Sequence, residues 1–291
     1  MGKTNKGQRT KGNTRPSSSG HTAQLLNSSG KALSGFIGFE ALEKEIPSYV
    51  PVAGQHTVDT VNSSVDSDFR MVMRKMLKRD VVTRLKAVQE FGNHCAEKDK
   101  DIVKNVLPFW PRLFNKLALD TDRRIREATH EANGKLIFKV KREVAPYLKN
   151  IMGVWLLGQC DLYAPAATSA QATFTATFPS GKQSEALMFC KTEIFAYFKD
   201  NLFEQTAKTM SETNLTSAED VENKYILVIS ATLQALKLFL TTILHSELQN
   251  IYEDLRSVVV ESKFWKYAKN KESLGKYMLY MLLKSLLKGF F

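Results

Sequence analysis

The sequence predicts an all-α fold: a HEAT/ARM-like α-solenoid of stacked helix pairs behind a disordered basic N-terminal tail. Two observations carry the helical part. Apolar residues recur at i, i+3, i+4 and i+7 through most of the chain, and the helical stretches come in pairs that repeat at about 40 residues. One such pair cannot bury its own apolar face, so neighbours bury it together in a stack.

Residues 1–66 are expected to be tail and linker, and 67–291 the helical repeat domain. The opening 31 residues carry Lys3, Lys6, Arg9, Lys11, Arg15 and Lys31 and no acidic residue, among many Gly, Ser, Thr and Asn. Too little apolar surface is present to offset chain entropy, so disorder is expected. Two readings stay open here: a solubilising tail, or an arm that binds phosphates on a partner. In the linker, Phe36, Ile37 and Phe39 of "SGFIGF" form an apolar clip expected to dock on the folded part.

The helical pattern starts at Ser67. Phe69, Val72, Met73, Met76 and Leu77 share one face, with Ser67 or Asp68 as cap. Asp80 opens a second helix with Val81, Leu85 and Val88 inward, and Gly92 is the expected stop. The next pair begins near Pro111, where a missing N–H is harmless, with Trp110, Leu113, Phe114 and Leu117 on one side. Its partner, "DRRIREATHEANGKLIFKV", turns Ile125, Ala128, Ala132 and Leu136 inward. The third pair places Leu148, Ile151, Met152, Trp155 and Leu156 on one helix and Ala166, Ala167, Ala170 and Phe174 on the other. Its Thr content pulls the second of these toward strand.

Asp80 and Asp122 lie 42 residues apart, and Asp122 and Asp161 lie 39 apart. This period suits HEAT or armadillo-like units. Asp at the turn accepts N-terminal backbone N–H groups and suits the helix dipole. Arg84 and Arg126 each follow such an Asp by four residues, placed to reach the Asp of a neighbouring repeat. Arg123 and Arg124 are not needed for that ladder and are free to face an outside anion.

Beyond "FPSGKQ", one further helix is expected over "SEALMFCKTEIFAYFKDNLFEQT". Ser184 would be its cap, with Glu185 in the first turn and Leu187, Cys190, Ile194 and Phe198 inward. "TMSETNLTSAEDVE" reads as an acidic loop, and "YILVISATLQALKLFLTTIL" as a buried helix rather than a membrane span, because Gln234 and Lys237 interrupt it. The closing "SLGKYMLYMLLKSLLKGFF" lacks the polar cap of a finished solenoid, so an N-terminal piece of a longer stack, or an altered end, is expected.

Net charge is +11 and the pI about 9.4, which favours an acidic partner such as nucleic acid. The cysteines, Cys95, Cys160 and Cys190, are isolated and odd in number, which points to a reducing compartment. The N-terminus has no apolar leader core, so secretion is not expected. Phosphate loops, dinucleotide fingerprints, nucleophile elbows and HExxH pairs do not occur, and no catalytic, cofactor or metal residue is assigned. His94 beside Cys95 lacks an orienting third group. In "SKFWKYAKNK", four lysines alternate with Phe264, Trp265 and Tyr267. That mixture suits RNA stacking, or a helix with snorkelling lysines.

Several stretches resemble listerin-type RING ubiquitin-protein ligases. They are "GQRTKGNTRPSSSGHTAQLL", "GFIGF", "VDSDFRMVMRKMLKRDVVTRLKAVQEFG", "VLPFWPRLFNKLALDTDRRIREATHEA", "APYLKNIMGVWLLGQCD" and "SKFWKYAKN". The matches are collinear to about residue 270, and the closing residues look less similar. The resemblance implies a long HEAT/ARM solenoid with a C-terminal RING that binds zinc and acts in ribosome-associated quality control. It implies cytosolic partners: the large ribosomal subunit holding a stalled nascent chain, and a nuclear export mediator factor-type cofactor. Contact with ribosomal RNA is expected, and neither a membrane nor a small-molecule substrate is. The RING does not carry over, because three isolated cysteines cannot supply its paired zinc ligands, so no ligase activity is expected of this chain alone. The expected docking residues are Lys3, Lys6, Arg9, Lys11, Arg15, Arg123 and Arg124, chosen by charge and exposure. The alternatives are a non-catalytic HEAT scaffold for protein partners or RNA, and an enzyme with no recognisable motif.

Overall fold

The computed structural model describes residues 65–210 and 217–269, all within the unit Ser48–Phe291. The basic tail, the "SGFIGF" clip and the closing apolar stretch lie outside the described residues. The described residues are mostly helical, with no strand among them.

The first three pairs follow the expected order. Helix α1 (Ser67–Lys75) packs on α2 (Val81–Glu97). A one-turn α3 (Lys100–Lys104) and α4 (Trp110–Leu117) lead to α5 (Arg123–Val140), on which both rest. A 3-10 turn at Lys141–Tyr147 leads to α6 (Leu148–Gly158), which packs on α7 (Ala164–Thr177). The second helices, α2, α5 and α7, lie side by side as one row.

Apolar periodicity explains these contacts. Phe69, Val72, Met73 and Met76 are buried on α1, and Trp110, Leu113, Phe114 and Leu117 on α4. Phe91 stacks on Trp110 with ring centroids 4.6 Å apart, and the Trp110 Nε1–H donates to Asn133 Oδ1 at 2.8 Å. Trp155 is likewise core, donating to the Ala170 carbonyl at 3.1 Å. Helix α7 forms despite its threonines. Thr173 and Thr177 bond back to carbonyls of their own helix, and Ala166, Ala170 and Phe174 face inward.

Four local expectations are corrected. Asp66, not Ser67 or Asp68, caps α1, accepting the Asp68 N–H at 3.1 Å. Gly92 does not stop α2; it lies buried inside the helix, where a Cβ would stand 3.4 Å from Ala132 Cα of α5. The helix expected from Ser184 instead starts at Ser180 and breaks at Cys190. This gives α8 (Ser180–Phe189) and α9 (Lys191–Lys199), with a π-turn at Asp200–Glu204. Ser184 is inside α8, where its hydroxyl accepts the Leu244 N–H at 2.9 Å. Finally, the acidic stretch is partly helical, since Ser217 caps α10 (Ala218–Thr242) and puts Glu219 and Asp220 in the first turn.

After α7 the packing changes. Helix α9 continues against α6, while α10 lies on α6, α8 and the π-turn. Every residue of α6 from Ile151 to Gly158 is therefore buried. Helix α10 is long and apolar enough to cross a membrane, yet 50% of its apolar window is buried in the fold. Thr232 on that buried face accepts from Asn201 Nδ2 at 3.2 Å. A 3-10 turn (His245–Ile251), α11 (Tyr252–Val259) and α12 (Ser262–Lys269) complete the described chain.

Candidate functional site

Three inter-helix turns, before α2, α5 and α7, are tied into one edge by two arginines. Arg84 places Nε and Nη2 on the Asp120 carboxylate, at 2.9 and 3.0 Å. Its Nη1 donates to the carbonyls of Lys78 and Arg79 in its own turn. One repeat later, Arg126 grips Asp161 the same way, at 2.6 and 3.0 Å, and donates Nη1 to the carbonyls of Asp120 and Thr121. Planar guanidinium suits this fork geometry; an ammonium would not.

The ladder expected at Arg84 and Arg126 is present, with one change of partner. Arg84 selects Asp120, while Asp122 caps α5 by accepting the Arg124 N–H at 2.9 Å. Asp80 plays the matching part on α2, accepting the Thr83 N–H at 2.7 Å. Each rung Asp also holds its turn closed: Asp120 accepts the Asp122 N–H at 2.9 Å, and Asp161 the Tyr163 N–H at 2.8 Å. So "LALDTDRR" uses its acids for two jobs, a rung and a cap.

Arg123 and Arg124 stand on the outside of this edge, and both are exposed. Neither swings freely. Arg124 folds back on Asp122, with Nη2 to Oδ2 at 2.8 Å, and that bond is the main reason the Asp122 carboxyl titrates below its usual range. The Arg123 guanidinium lies 4.9 Å from the ring centroid of Tyr163 in the third turn. Lys78 and Arg79, absent from the expected docking residues, are exposed in the first turn. Register offers a signal for Lys78, since it stands two residues before its cap as Asp120 does. Counting the ladder, the edge holds Lys78, Arg79, Arg84, Arg123, Arg124 and Arg126 against Asp80, Asp120, Asp122 and Asp161, so it is cationic on balance. Leu162 adds an exposed apolar group beside Tyr163. The five tail residues Lys3, Lys6, Arg9, Lys11 and Arg15 lie outside the described residues.

Such an edge can hold an anionic surface by charge and shape. All three cysteines are free. Burial pushes the Cys160 and Cys190 thiols up to about 12 and raises Cys95 as well, so none is a thiolate near neutral pH. His94 sits with its ring edge-on to Phe69. Among the described residues no group of His, Cys, Asp or Glu could hold a metal ion. The lysine-aromatic stretch at α12 is divided: Phe264 and Tyr267 are buried, while Trp265 and Lys266 are exposed.

Comparison with known proteins decides the family. Residues 64–289 match the family model described as "E3 ubiquitin-protein ligase listerin, N-terminal domain". The chain belongs to the listerin family. It is 48% identical to the E3 ubiquitin-protein ligase listerin of Gallus gallus over 93% of its length, and 49% identical to that of Mus musculus over the same share. The Drosophila melanogaster listerin is 36% identical, again over 93% of the chain. The chain spans about 15% of the length of these curated relatives, at the part the family model assigns to the listerin N-terminal domain.

Proposed function

We propose that this chain is the docking region of a listerin-type ubiquitin ligase. It binds the large ribosomal subunit together with a nuclear export mediator factor-type cofactor in the cytosol. A RING elsewhere in the full-length ligase then ubiquitinates the stalled nascent chain. The observation that carries this reading is the cationic turn edge, held rigid by two arginine rungs, in a chain of the listerin family. A net charge of +11 supports an anionic partner. The 41-residue step from Asp120 to Asp161 and the repeated Arg–Asp rung support reading the helix pairs as HEAT/ARM-type units.

The test is co-sedimentation of the purified chain with split large subunits across a salt series. Binding through phosphates should weaken steeply as salt rises. Reversing Arg123 and Arg124 to Glu should lower affinity by about tenfold, since several phosphate contacts are lost or repelled. Equal sedimentation with intact ribosomes, or binding insensitive to salt, would count against the reading and favour a scaffold that binds protein alone.

A further inference from the structure

A second feature lies away from the turn edge, where α12 meets the π-turn and the start of α10. A cavity of about 410 Å³ opens there. Phe203, Tyr225 and Tyr267 form its walls, and Lys263 and Lys266 stand at its mouth. We propose that this cavity binds a short segment of a partner protein in which a Glu or Asp adjoins an aromatic or aliphatic side chain. The proposal is independent of the ribosomal docking reading.

The walls are fixed by the fold. Tyr267 is buried and its hydroxyl donates to the Leu202 carbonyl at 2.5 Å, joining α12 to the π-turn. Lys263 Nζ donates to the Phe203 carbonyl at 2.7 Å and lies 3.9 Å from Glu204 Oε1. Lys263 is therefore a strut. Lys266 is different: it is exposed, lines the same cavity, and makes no hydrogen bond or ion pair with a described residue. An ammonium without a partner among the described residues, beside aromatic walls, matches one carboxylate beside an apolar group. The aromatic walls shield one side of the pair from water, and the apolar side chain rests against them.

The same groups disfavour a nucleic-acid strand. Glu204, 3.9 Å from Lys263 Nζ, offsets that lysine, so Lys263, Lys266 and Glu204 carry a net charge of only +1. A strand needs a continuous cationic groove, whereas this is a short, open hollow of side-chain size.

The probe is the peptide acetyl-Gly-Glu-Phe-Gly-amide, titrated into the full chain by calorimetry and followed by the fluorescence of Trp265, which neighbours Lys266 on α12. Saturable binding is expected, with the Gln analogue of the peptide about tenfold weaker, as loss of one partly desolvated ion pair implies. Lys266→Glu should abolish binding and Lys266→Arg should keep it. Phe203→Ala should weaken it by about fivefold, because an apolar wall is lost. Thermal melting checks that each variant is folded. The proposal is overturned if the Gln peptide binds equally well, if an oligouridylate displaces the acidic peptide, or if no saturable binding occurs. Co-sedimentation of Lys266→Glu with large subunits should be unchanged throughout, so failure here is distinguishable from failure of the docking reading.

Discussion

Arg126 and Asp161 keep only 7% and 5% of their side-chain surface in solvent, against 14% and 11% for Arg84 and Asp120. The chemistry of the two rungs is the same, so burial sets the difference in their weight. Removing one partner from a buried pair leaves the other charge desolvated and unpaired, at about 3–5 kcal/mol. Asp161→Asn should therefore lower unfolding free energy in urea by about 3 kcal/mol, while Asp120→Asn should lower it by about 1–2 kcal/mol. Replacing Arg126 and Asp161 together by Met and Leu should restore only part of the loss, since no orphaned charge remains but the Asp120 and Thr121 carbonyls and the Tyr163 N–H lose their partners.

A second residue-scale prediction concerns His130. It is buried against Phe114, and neither ring nitrogen has a hydrogen-bond partner among the described residues. Desolvation lowers its pKa to about 4, because the cation cannot be solvated there. The unfolded chain then binds a proton, below about pH 6.5, that the folded chain refuses. Stability from this group is complete above that pH and is lost as pH falls toward 4, by about 3 kcal/mol in all. Urea titrations between pH 7 and 4 should show this slope, and His130→Phe should remove most of it. A slope unchanged in the variant would mean that other groups set the acid sensitivity.

At the scale of elements, Gly92 and Gly134 occupy matching places on α2 and α5 and set how closely the row can pack. A Cβ at Gly92 would stand 3.3 Å from Lys135 Cδ, a flexible neighbour, and 3.4 Å from Ala132 Cα. A Cβ at Gly134 would overlap Thr173 Cγ2 of α7. Helix propensity favours Ala over Gly by about 1 kcal/mol at either site, whereas overpacking costs about 1–3 kcal/mol. Gly92→Ala should thus be near neutral in thermal melting, and Gly134→Ala should destabilise. Adding Thr173→Ala to the latter should recover stability, since Thr173 Oγ1 bonds only within its own helix.

These glycines also show where local reading fails. Asp80 and Asp122 were legible as caps because an N-cap acts on a backbone N–H two or three residues away. Gly92 was not legible as a packing site, because its reason for being Gly lies on α5. Ser184 failed similarly: its hydroxyl serves the N–H of Leu244, 60 positions along the chain. Helix α6 was legible as one apolar stripe, yet α4, α7, α9 and α10 surround it and bury it on all sides. Of the candidate site, the rung arginines were visible from spacing and Lys78 from register, but the exposed Arg79 was not.

For the whole molecule, docking and catalysis should be separable. The purified chain added to a ubiquitin-charged conjugating enzyme should not accelerate discharge of ubiquitin to lysine, because Cys95, Cys160 and Cys190 are too few and too scattered for the paired zinc ligands of a RING. In excess, it should instead compete with a full-length listerin for split large subunits. Accelerated discharge would overturn the division of labour proposed above.

Sequence alone determined the helical periodicity, the spacing of about 40 residues, the cationic excess and the family, because these depend on residue type and on intervals along the chain. Only the tertiary structure decided that Arg84 takes Asp120 and leaves Asp122 to cap α5, and that Arg123 and Arg124 remain on the outside. Both acids lie two positions apart in one turn. The choice between them rests on how far one helix pair is shifted and rotated against the next, which packing of the buried faces sets.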